Sequence, residues 1–130
     1  MIERINPPAL ARPSGFSHAV RASGTTIYLA GQTGMDAGGA IIQGGMVAQF
    51  EQALTNLLTA LTAAGGTPDQ LVHATIYIVD VPAYRAVAAE IGAVWRRLAG
   101  RDYPAIAGIG VARLWDDGAL VEIEGIAVLP

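Results

Sequence analysis

Glu122 and Glu124 stand two residues apart in the β-forming run Val121-Glu122-Ile123-Glu124, so strand alternation turns both carboxylates to one face. Two carboxylates on one surface can position water and move a proton as general acid or base. The plainer alternative is that one glutamate is solvated and the other pairs with an arginine across an interface. Few other groups in the chain do chemistry. Cysteine is absent, which excludes disulfides, thiolate nucleophiles and sulfur-ligated zinc. The eight basic residues are all arginine, which excludes Schiff-base chemistry and a P-loop lysine. His18 and His73 are the only histidines. His18, near Phe16, can serve as an acid or base near neutral pH, or can bond the backbone as a strand histidine. His73 has no partner at metal-ligand spacing, so it reads as structural and no metal site is expected. What remains for catalysis is carboxylates, arginines, hydroxyls, a histidine, backbone dipoles and water.

These groups need a scaffold, and 130 residues suffice for a single domain, 1–130, with a sizeable core. Pro7, Pro8 and Pro13 predict an irregular N-terminal arm over 1–15. Residues 18–22 and 26–30 are β-prone and flank Ser23-Gly24-Thr25, which predicts a hairpin. From Val47 to Ala64, Val47, Phe50, Leu54, Leu57, Leu58 and Leu61 recur at helical spacing. Gln49, Gln52, Thr55 and Asn56 fall on the other side, and Gly65-Gly66 ends the helix. Thr67-Pro68-Asp69-Gln70 has the layout of a capping box before the strand 71–79. Asp80 caps a second helix, with Pro82 in its first turn and a stripe of Tyr84, Val87, Ile91, Trp95 and Leu98 ending at Gly100. Residues 105–114 and 119–129, joined by Trp115-Asp116-Asp117-Gly118, predict a closing hairpin. In that hairpin Gly110 would face Glu122 and Gly108 would face Glu124, leaving a hollow beside each carboxylate. The order is β-β-α-β-α-β-β, an α+β domain with two helices on one face of a mixed sheet.

Composition bounds the partners. Hydrophobic residues make up 52% of the chain and charged ones 15%, well below the usual share of roughly a quarter. Neither face of the strand 71–79 carries charge, so the face away from the helices is expected to be covered by other subunits. A net charge of −3 argues against nucleic-acid binding. No apolar run reaches the length of a membrane span, and the start Met1-Ile2-Glu3-Arg4 lacks a signal core, which points to the cytoplasm.

Several segments, in order, resemble one family. Ser14-Gly15-Phe16-Ser17-His18-Ala19-Val20 is similar to its Gly-Pro-Tyr-Ser-Gln-Ala-Val opening, and Ala30-Gly31-Gln32 to its Ser-Gly-Gln. Ala48 to Leu54 resembles its first helix, and Leu71 to Asp80 its central strand. Tyr103-Pro104-Ala105 is similar to its Pro-Ala-Arg segment, and Val121 to Ala127 to its closing Val-Glu-Ile-Glu-Ala-Ile-Ala. On these residues the chain is identified as a member of the reactive-intermediate deaminase family (RidA/YjgF, also called the endoribonuclease L-PSP family).

The resemblance implies a chorismate-mutase-like homotrimer with small-molecule ligands in clefts between subunits. It implies hydrolysis of enamines and imines to a carbonyl compound and ammonia without metal or organic cofactor. It also assigns roles: Glu122 places water, and the backbone near Gly31 helps hold the substrate. The family's carboxylate-gripping arginine is replaced by Ile106, the usual tyrosine by Phe16, a glutamine by His18 and a larger residue by Gly108. These departures make Phe16, His18, Gly31, Ile106 and Gly108 the lining of a more apolar site, suited to a substrate other than 2-aminoacrylate. Arg113 and Arg12 are the candidates to replace the missing guanidinium. The rival readings are a non-catalytic ligand-binding or scaffold trimer and, third, an endoribonuclease.

Overall fold

The structure, a computed structural model, describes residues 1–130. Strands β1 (Ile2–Ile5) and β2 (Ala19–Ala22) form a two-stranded antiparallel ribbon. Strands β3 (Thr25–Gln32), β4 (Leu71–Ile78), β5 (Ala105–Gly110) and β6 (Val121–Leu129) form a mixed sheet in the order β3-β6-β4-β5. Only β4 and β5 run parallel. Helices α1 (Gly45–Ala63), α2 (Val81–Ala86) and α3 (Ala88–Ala99) complete the chain, with a 3₁₀ turn at Pro68–Gln70. The α+β class and mixed sheet are as expected.

The core lies between one sheet face and the two long helices. Phe50, Leu54, Leu57 and Leu61 of α1 and Ile91, Val94 and Trp95 of α3 pack on Leu29, Leu71, Ile76, Ile78, Val121, Ile123 and Ala127. Each fully buried leucine in this set contributes roughly 1.5–3 kcal/mol. A bulge in the β4–β6 ladder between Leu71 and His73 shifts the alternation. Leu71, rather than Val72, therefore joins Ala74, Ile76 and Ile78 on the buried side.

Four expectations are corrected. The arm over 1–15 is not irregular throughout, because Ile2–Ile5 pairs with Ala19–Ala22 ahead of the first proline. The hairpin of 18–22 with 26–30 is absent: β2 pairs with β1 and β3 with β6. Gly24 serves a close approach instead, since a Cβ there would sit 1.9 Å from Leu129 O. The second helix is two segments that meet at Val87 (φ −115°, ψ 22°), although Asp80 does cap the first by accepting from Ala83 N at 3.0 Å. The closing hairpin is also absent, because β4 separates β5 from β6. Asp116-Asp117-Gly118 does turn, with Gly118 at φ 82°, but the turn lies within a crossing connection.

That connection is pinned by α1. Gln49 is buried, where helical periodicity put it on the polar side. Its Nε2 donates to Gly118 O at 3.0 Å and its Oε1 accepts from Leu120 N at 2.8 Å. Asn56 Nδ2 likewise donates to Thr33 O and Met35 O. Gln49→Ala removes the side-chain partner of the Leu120 N–H and of the Gly118 carbonyl, and should destabilise the fold by about 1–3 kcal/mol. Urea unfolding reads this as a lowered midpoint at unchanged slope, and a loss under about 1 kcal/mol would show that the clamp is not structural.

Candidate functional site

Strand β6 has neighbours on both sides, so its side chains have two faces to use. Val121, Ile123 and Ala127 enter the core, while Glu122, Glu124 and Ile126 face away. Pairing on β4 sets Tyr77 beside Glu122, Thr75 beside Glu124 and His73 beside Ile126. On β5, Ala105, Ala107 and Ile109 continue the rows of His73, Thr75 and Tyr77. On β3, Tyr28 stands beside Ile126, followed by a ladder irregularity between Leu29 and Gln32. This face is uncovered in the single chain: Tyr28 is 80% exposed and Ile109 42%.

The irregularity brings Gly31 against Glu122. A Cβ on Gly31 would lie 2.7 Å from Glu122 Oε2, so only glycine lets this carboxyl rest against the β3 backbone. Glu122 is half-buried and pairs with no arginine; the three ion pairs of the chain use Glu3, Glu51 and Asp117. Its carboxyl is raised above the ordinary glutamate range, first by burial, then by the charges of Asp116 and Glu124. Glu124 accepts a hydrogen bond from the Tyr77 hydroxyl. That bond, then burial, then the Glu124 charge raise the Tyr77 hydroxyl above its usual value.

A second group gathers elsewhere. Ser17 N donates to Pro104 O at 2.9 Å and Ser17 Oγ to Tyr103 O at 2.6 Å, which lays the segment 16–18 beside the start of β5. Phe16 and His18 meet edge to face at 5.1 Å. The His18 Nε2 is 2.7 Å from Ala11 O, a bond to the backbone. Ile106 is in register with buried Ala74 and packs on the core, and Gly108 is in register with Ile76. Both therefore belong to the helix side of the sheet, opposite Glu122. The expected contacts of Gly110 with Glu122 and Gly108 with Glu124 do not form, because those glycines pair with Ile78 and Ile76. Arg113 reaches Asp117 at 3.4 Å on the surface, and Arg12 is exposed in the arm.

The structure thus joins Glu122 to Gly31, and Phe16 to His18 beside the segment that leads into β5, as two groups in one chain. Tyr77 and Asp116 were missed as partners of Glu122. Tyr77 does belong to the same face of its strand as His73 and Thr75, but only the β4–β6 pairing puts it next to Glu122. A depression of about 540 Å³ opens at the start of α1 between Met35, Ile41, Gln49, Asp116 and Leu120. Glu122 and Gly31 are not among its walls, and its one buried polar side chain, Gln49, is fully engaged. No helix is long and apolar enough to cross a membrane.

Fold and site define a small α+β protein whose central strand presents a carboxyl to an open sheet face. The chain belongs to the endoribonuclease L-PSP family, whose sequence model matches residues 7–129. It is 39% identical over 129 residues to the Capra hircus protein named 2-iminobutanoate/2-iminopropanoate deaminase, covering 98% of this chain and 88% of that one. The Bos taurus protein of the same name is 37% identical over the same coverage. Among solved structures, YyfB of Yersinia pestis, described as a protein of unknown function of the conserved Rid family, superposes with a TM-score of 0.85. It is 40% identical and the match covers 98% of both chains. RidA from the Antarctic bacterium Psychrobacter sp. PAMC 21119 superposes with a TM-score of 0.70 at 31% identity, covering 92% of each.

A carboxyl whose value is raised in the folded chain holds a proton that the unfolded chain has already lost. Stability therefore declines as pH rises from the ordinary glutamate value through the raised one. Glu122→Gln has no such decline, so it should melt above wild type at pH 7, with the gap closing below about pH 4. Calorimetric scans at both pH values check this; a gap that does not change with pH contradicts it.

Proposed function

We propose that this protein hydrolyses a small imine or enamine to a carbonyl compound and ammonia, with Glu122 as the group that handles water. The observation that carries the reading is the Glu122 carboxyl, half-buried, without an arginine partner and seated against Gly31. The names of the relatives support the reaction class.

The chemistry follows from that one carboxyl. As carboxylate, Glu122 accepts a hydrogen bond from water and aims its oxygen at the iminium carbon. The water lone pair forms the C–O bond, the C=N π pair moves to nitrogen, and the released proton passes to Glu122. The carbinolamine then collapses: Glu122 returns its proton to the amine nitrogen, an oxygen lone pair completes C=O as the C–N bond breaks, and the hydroxyl proton passes through Glu122 to the departing ammonia, which leaves as ammonium. A carboxyl raised above the ordinary glutamate range, by burial first, takes a proton more readily than a solvated glutamate and can still return it.

The substrate is one without a firmly held carboxylate. Ile106 stands where the family resemblance places an arginine, and neither Arg12 nor Arg113 pairs near Glu122. Because Ile106 and Gly108 lie on the opposite side of the sheet, a cleft that uses them together with Glu122 is built from two copies. A homotrimer supplies such clefts and covers Tyr28 and Ile109. Phe16 and Ile106 form the apolar walls, with Gly31 backbone and His18 as polar contacts. RNA cleavage draws less support: three of the eight arginines are tied to Glu3, Glu51 and Asp117 rather than gathered into a track.

Ammonia release from a panel of imines should be measurable with wild type and fall about 100-fold or more in Glu122→Ala. Turnover of no imine, or an unaffected variant, removes the catalytic role. Light scattering should give the mass of three chains at micromolar concentration; a monomer would leave the open sheet face and the split site unexplained.

A further inference from the structure

We infer that Tyr77 sorts the two strand carboxylates, holding Glu124 aside and leaving Glu122 alone to serve the substrate. The inference rests on the proposed function and goes further, since it names the residue that gives two like side chains different roles.

Strand alternation makes Glu122 and Glu124 near-equivalent. Their Cα atoms are about 7 Å apart on one face, and both side chains are long enough to meet a common ligand or each other. The register breaks the symmetry. Tyr77 is the direct neighbour of Glu122, yet its hydroxyl reaches diagonally to Glu124 Oε1. Diagonal cross-strand reach is ordinary for an aromatic side chain. Glu124 thereby has an oxygen occupied and a fixed direction, whereas Glu122 has no donor and lies against Gly31.

The titratable and charged groups facing this pair are few. They are Tyr77 and His73 from β4, Tyr28 from β3 and Asp116 from the 111–120 connection. Strand β5 contributes only Ala105, Ala107 and Ile109 to this face. No arginine intervenes, and the Thr75 hydroxyl beside Glu124 lies 3.3 Å from His73 Nε2, so the Tyr77 hydroxyl is the donor seen on either carboxylate. It stays protonated across the neutral range, since its hydrogen bond to Glu124 raises it above its usual value.

Tyr77→Phe keeps the ring and removes the donor. Glu124 is then free to share a proton or water with Glu122. With a hydrolysed imine, kcat should fall about tenfold while KM changes less than about twofold. The double variant Tyr77→Phe/Glu124→Gln should recover most of kcat, because the interfering charge is gone. A double variant as slow as Tyr77→Phe, or a single variant at wild-type rate, overturns the inference. Carbon-13 titration of the Glu122 carboxyl separates this failure from failure of the proposed reaction, since it needs no turnover. Glu122 should titrate in one step in wild type, in two coupled steps in Tyr77→Phe, and in one again in the double variant. The same curve in all three proteins would refute the sorting role even if imines are hydrolysed.

Discussion

A strand flanked on both sides has no edge to offer and only two faces to divide, and β6 occupies that position between β3 and β4. Its period-two alternation is the constraint on which core and site both depend. Val121, Ile123 and Ala127 are fully buried under α1. The same pleat leaves Glu122 and Glu124 no choice but the opposite face. A one-residue slip would drive two carboxylates into the core and expose the aliphatic row, so the hydrophobic effect itself holds Glu122 in place. The catalytic candidate is thus positioned by a strand whose other face is fully committed to the core.

The connection that precedes β6 reinforces this. Gln49, buried in the first turns of α1, grips Gly118 O and Leu120 N and so fixes where β6 begins. Asp116, two residues before the grip, contributes to raising the Glu122 carboxyl. Helix packing, strand register and the proton affinity of Glu122 therefore share a chain of contacts. Stabilisation at Gln49 and destabilisation of ionised Glu122 are two ends of it. A favourable core offsets an unfavourable charge, as is common where a site needs a group away from its solution behaviour.

Much of this was legible from residue order. The periodicity of Phe50, Leu54, Leu57 and Leu61 identified α1 and its buried face, Asp80 was recognised as a cap, and alternation put Glu122 and Glu124 together. What failed was strand partnership. Turn chemistry at Ser23-Gly24-Thr25 and Asp117-Gly118 is local, whereas pairing is decided by burial across the whole sheet. The two apolar strands β4 and β6 gain more by lying side by side over the core than β6 would by folding back on the glycine-rich β5. Because β6 was assigned to the wrong neighbour, Tyr77 could not be seen beside Glu122. Likewise Gln49 looked solvated, because helical periodicity cannot show that a distant loop will come to bond it.

The same electrostatics bears on what the proposed site accepts. Glu122 already feels Asp116 and Glu124, and no guanidinium offsets them. Two like charges about 5 Å apart on this face would repel by about 3 kcal/mol at an effective dielectric constant near 20, a cost that a substrate carboxylate would meet. That is a discrimination of more than 100-fold before any lost hydrogen bond is considered. Ile106, which packs on the core, stands where the family resemblance expects the arginine that would reverse this balance. An iminium cation meets the opposite field, attracted by the groups that repel a carboxylate. On the proposed reaction, selection for a cationic or neutral imine then needs no dedicated recognition residue, because the acidic face proposed to serve the water would also sort the substrate.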